Sequence, residues 1–156
     1  MKSPACLTSI ILLCAYSASA PAQSLVDASD ADKLGAIIRD LGYRATVSSD
    51  GVGDPMISTR VGGTDVTILF YGCEDNENCR TLLFKVGYDL DDGTTLDVIN
   101  AWNEMNLFGR AYLDDESDPW IEMAVNLYGG VSRANFEDTF DWWEVVIGQF
   151  EDHIGF

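Results

Sequence analysis

Between Tyr43 and Tyr88 the chain repeats one pattern four times: a short run in which every second residue is apolar, then a brief turn-forming stretch. Tyr43, Ala45 and Val47 form the first set, and Ile57, Thr59 and Val61 the second. Val66, Ile68 and Phe70 form the third, and Leu82, Phe84, Val86 and Tyr88 the fourth. A period of two places each set on one face of a strand. The links "SDGVGDP" and "GG" at 62–63 are too short for a crossover, so successive strands must run antiparallel. Two further alternating runs follow, "RAYL" and "WIEMAVNL", joined by "DDESDP". In the second of these, Ile121, Met123, Val125 and Leu127 alternate with Glu122, Ala124 and Asn126.

Three stretches change to the helical period. Leu34, Ile37, Ile38 and Leu41 share one face, with Ser29 or Asp30 placed to cap the start and Gly42 to end it. "LDDGTTLDVINAWNEMNLFG" predicts a second helix, with Thr94 and Asp97 at capping-box spacing and Gly109 as its stop. The third begins at Ser132, where Val131 and Phe136 fit a hydrophobic staple. Its stripe is Phe136, Phe140, Trp143, Ile147, Phe150 and Ile154. Trp142 lies at the flank of that stripe, and Val145 points nearly opposite. The expected fold is therefore α+β: an antiparallel sheet with helices packed on one face, in the order α-β-β-β-β-α-β-β-α.

The first residues read as a secretory leader. Lys2 precedes an apolar run from Ala5 to Tyr16, followed by "SASAPA". That run is short of the roughly 20 residues a membrane span needs. Ala20 and Ala22 satisfy the small-residue cleavage rule, so residues 1–22 are expected to leave and the mature protein to begin at Gln23. Residues 23–156 then form a single domain, long enough to bury a core. The whole sequence carries 9 basic and 26 acidic residues, and losing Lys2 moves the net charge from -17 to -18. Such a surface repels nucleic acid and anionic lipid. The expected location is periplasmic or secreted.

In an oxidising compartment the two remaining cysteines, Cys73 and Cys79, are expected to pair. The small ring "CEDNENC" would contribute about 2 kcal/mol by the loop-entropy relation. A zinc site would need further soft ligands, and a redox pair more usually has two intervening residues. His153 is the only histidine and is read as a terminal surface residue. Without a positioned histidine, a Gly-x-Ser-x-Gly or a phosphate loop, no catalytic residue and no cofactor is indicated. "DLDDG" at 89–93 puts its glycine one place early for an EF-hand, and "DDESDP" puts Pro119 where that loop needs glycine. An acidic, calcium-binding protein is the alternative function, and a carboxylate-dependent hydrolase a weaker one.

Aromatic residues supply the remaining signal. Trp143 belongs to the core stripe, whereas Trp120 and Trp142 fall off the apolar faces. Together with Val145 they are the candidate contacts for a protein partner.

The segments "LGYRA", "FYGC", "YDLDDG", "NAWN", "FGRAYLDDESDP" and "GGVSRANFEDTFDWW" stand in the order found in the YbjN-domain family, which the chain resembles across residues 30–152. That family is described as bacterial sensory transduction regulators, with a fold similar to type III secretion chaperones. The resemblance implies an α+β protein that works by binding other proteins, often as a homodimer, without an assigned catalytic residue. The leader and the cysteine pair depart from cytosolic members and imply a role in the envelope.

Overall fold

The computed structural model describes residues 24–156; the expected leader and its cleavage site lie outside the described residues. The elements are α1 (Ala31–Asp40), β1 (Ala45–Ser49), β2 (Pro55–Val61), β3 (Thr64–Tyr71), β4 (Thr81–Gly87), α2 (Leu96–Met105), β5 (Arg110–Leu113), β6 (Pro119–Asn126) and α3 (Arg133–Ile154). This is the expected order. All six strands form one antiparallel sheet, β1-β2-β3-β4-β6-β5. After β4 the chain passes through α2 to the far edge, runs out as β5, and returns inward as β6.

The inner face is a set of cross-strand rows. Val47, Ile57, Ile68, Phe84 and Met123 sit opposite one another across five strands. Val86, Ile121 and Ala111 continue the surface toward β5. Onto this face α3 lays Phe136, Phe140, Trp143, Ile147 and Phe150, all buried. Phe84 meets Phe140 edge-on at 5.3 Å between centroids and Trp143 at 6.0 Å. Burying large side chains of this kind stabilises by about 1.5–3 kcal/mol each, which is why the inner rows set the strand register. Val146, which the stripe omitted, is buried as well. It fills the space where Gly109 passes: a Cβ at 109 would sit 2.7 Å from its Cγ1.

Local signals worked well at three ends. Asp30 caps α1 by accepting the Lys33 N–H at 3.0 Å, and Ser132 caps α3 by accepting that of Asn135 at 3.1 Å. Gly62 and Gly63 take positive φ at the β2–β3 turn, as a two-residue hairpin link requires. For α2 both ends differ from expectation. The cap is Thr95, whose hydroxyl accepts the Val98 N–H at 3.4 Å, while Thr94 lies one residue before it with its N–H donating to Ser117 O. The helix stops at Asn106, not Gly109: the backbone turns extended there, and the Asn106 side chain donates to Trp102 O at 3.0 Å. His153 is half-buried; its ring lies against Trp102, and Nε2–H donates to Val98 O at 2.9 Å, pinning α3 to α2. No helix among the described residues is long and apolar enough to cross a membrane.

Candidate interaction surface

The outward side of α3 carries Trp142 and Val145 less than one turn apart, 47% and 45% exposed. Asp138 and Asp141 precede them by four residues each and share their side of the helix, also exposed. Beside this side runs the α2–β5 link. Trp102 Nε1–H donates to Gly109 O at 2.7 Å, and Gly109 itself is pressed on Val146 and Ile121. These two constraints hold the link against α3. Phe108, 39% exposed, consequently packs its ring 5.2 Å from that of Trp142, with Leu107 next to it 88% exposed. The result is a small apolar patch edged with carboxylates. Scattered surface apolars are common, but apposed aromatic rings at the surface are the residue type that anchors protein contacts.

Phe108 and Leu107 did not enter the sequence-based contact set, because "NLFG" reads as the end of a helix. The available signal was a pair of large apolar residues directly before a glycine. Trp120 lies elsewhere. It alternates with the inward-facing Ile121, so it projects from the sheet face opposite the helices. There its ring covers Gly87, where a Cβ would come within 2.6 Å of the indole. Lys85 Nζ stands 4.2 Å over the ring, Tyr112 stacks at 6.4 Å, and Nε1–H donates to Asp114 Oδ2 at 2.9 Å. Trp120 is thus engaged within its own sheet, and the fold brings together Trp142 and Val145 but not Trp120.

Cys73 and Cys79 are joined by a disulfide. The ring they close is tied down twice: Asn76 Nδ2 donates to Asp54 Oδ1 at 3.0 Å, and the Asn78 N–H donates to Ser29 O at 3.2 Å. The staple therefore anchors the β1–β2 turn and the entry to α1 as well as the end of β3.

The acidic loops after β4 and β5 meet, through the Leu90 N–H donating to Asp118 Oδ1 at 3.0 Å. Among the described residues no group of three or more His, Cys, Asp or Glu side chains is placed to hold a metal ion. Buried polar chemistry is sparse. Tyr88 and Thr64 both donate to Glu151 Oε1, at 3.3 and 2.6 Å, which joins β3, the end of β4 and α3. Burial, then the negative charge of Glu151, drives the Tyr88 hydroxyl far above its usual range, so it stays protonated and serves as a donor.

A single antiparallel sheet roofed on one face by three helices, with an acid-edged aromatic patch on the longest of them, defines an α+β domain. The model of the YbjN family, described as "putative bacterial sensory transduction regulator", matches residues 30–156, and the chain belongs to that family. Searches of the curated proteins and of the solved structures each returned no match. The family description is consistent with a regulatory, non-enzymatic role.

Proposed function

We propose that this chain is an exported, non-enzymatic protein-binding module that acts in envelope sensing or regulation, with Trp142 at the centre of its contact surface. The observation that carries the reading is the apposed Phe108–Trp142 pair beside Val145, set among the carboxylates of α3. Such a surface selects a partner with an apolar patch rimmed by basic residues, since opposite charge speeds encounter and like charge rejects wrong partners. Export is supported by the leader pattern and by a cysteine pair spaced for a staple. The likeness to type III secretion chaperones implied by the family agrees with a binding role.

Affinity capture from an envelope extract, with the parent beside Trp142→Ala, tests the proposal. The variant should keep the parent's melting temperature and lose binding by about tenfold or more, the size of effect expected for a tryptophan anchor. Equal capture by both, or none by either, refutes the contact surface. A mass of two chains in sedimentation, abolished by Trp142→Ala, would assign the patch to a homodimer.

A further inference from the structure

Every open sheet has two edges that leave ladder groups unpaired. Here the two edges are treated differently. At β5 the side chain of Asn103 covers Ala111, one of the two outward positions: Nδ2 donates to Ala111 O at 3.0 Å, and Oδ1 accepts from Ala111 N–H at 2.9 Å. At β1 only the first position is covered, by Arg39 Nη1 donating to Ala45 O at 2.9 Å.

The phase of the β1 ladder follows from its turn. Asp50 N–H donates to Asp54 O just beyond the strand, so positions 46, 48 and 50 face β2 while 45, 47 and 49 face away. The N–H and C=O of Val47 and of Ser49 therefore point outward, and no partner for them occurs among the described residues. Val47 and Ser49 line a cleft of about 560 Å³, together with Ser48, Gly53 and Pro55 of the same hairpin. Its other walls are the first turn of α1, with Asp30, Asp32 and Lys33, and residues 76–78 of the disulfide ring. Both walls are fixed, the ring by its bonds to Asp54 and Ser29, and α1 by Gly35, whose Cα leaves no room for a Cβ against Val47.

We propose that this edge is a strand-addition site, taking an extended, basic segment of a partner polypeptide into the cleft beside β1. The backbone of another strand is the group that matches alternating N–H and C=O at the ladder repeat. The charge of the rim chooses the segment: Asp30, Asp32 and Glu77 face the cleft, and its one cation, Lys33, is already paired with Asp30 at 3.0 Å. A second copy of the chain would bring these same carboxylates against each other. The site shares no residue with the patch at Trp142 and does not depend on it.

A blocked hexapeptide alternating Lys and Val, titrated into the isotope-labelled full chain, tests the proposal. The Val47 and Ser49 amides should shift, and their exchange with solvent should slow by about tenfold or more. Two versions N-methylated at alternate amides, in opposite registers, should split: one binds like the parent peptide and the other fails. Replacing Lys by Glu should weaken binding by about tenfold or more. Ser49→Pro removes only an outward N–H, a change edge strands tolerate, and should weaken binding with the fold intact. Trp142→Ala should leave the titration unchanged. Unmoved Val47 and Ser49 amides, or equal binding by both methylated peptides, would overturn the proposal. So would a doubled mass without peptide that Ser49→Pro abolishes, since that would give the edge to a second copy.

Discussion

Single side chains carry much of the loop structure, and their charge state is the means. Asp114 accepts the Trp120 indole N–H through Oδ2, and the N–H groups of Asp118 and Glu116 through Oδ1. Those bonds, the indole's first, hold its carboxyl below the usual carboxylate range. Asp30 is lowered by the Lys33 backbone N–H and then by the Lys33 ammonium, and Asp27 by the Ser29 hydroxyl and then its N–H. A carboxyl depressed in the folded state adds stability above its unfolded pKa, near 4, and loses it as pH falls through the folded value. Melting temperature should accordingly decline below about pH 4. Asp114→Asn should be less stable than the parent at neutral pH, with the gap closing in acid. A gap that stays constant across the range would show that the charge of Asp114 has no part in it.

At the scale of elements, the disulfide ring does more than close the β3–β4 connection. Asp75, Asn76 and Asn78 all have positive φ, a conformation asparagine and aspartate tolerate better than most residues. That backbone brings Asn76 to Asp54 and Asn78 to Ser29. Cys73→Ser should lower stability in the oxidised protein by about 2 kcal/mol, or about 5–10 °C in melting temperature. Under reducing conditions parent and variant should melt together; identical melting in oxidant would mean that the bridge constrains nothing. The pairing itself was legible from Cys73 and Cys79 behind a leader-like N-terminus, but the tethers were not. Likewise the spacing to Asp97 pointed to Thr94 as the cap of α2, whereas in the fold Thr94 N–H bonds across to Ser117 O and the hydroxyl of Thr95 takes the cap.

The whole molecule is held together against its own charge. With a net charge of -17, the carboxylates on α3 and in the loops repel one another across a small surface. Adding sodium chloride at neutral pH should raise the melting temperature by a few degrees, because screening relieves that repulsion. A flat or falling response would mean that the surface ion pairs, such as Lys33–Asp30 and Arg60–Asp65, outweigh it. The two proposed contact regions each lie beside carboxylates, one on the helical layer and one at a sheet edge.

Element order and the inward face of α1, of α3 and of the alternating strands were determined by the sequence by itself, because periods of two and 3.6 are local properties of the chain. Alternation from Tyr43 to Leu127 and the stripe from Phe136 to Ile154 needed no knowledge of neighbours. Only the tertiary structure decided that β5 lies outside β6, that Phe108 meets Trp142, and that Asn103 covers Ala111 at one sheet edge while Val47 and Ser49 stay open at the other. Each of these depends on which distant segment arrives alongside, and a hydrophobic period specifies the face a residue presents but not the element it meets.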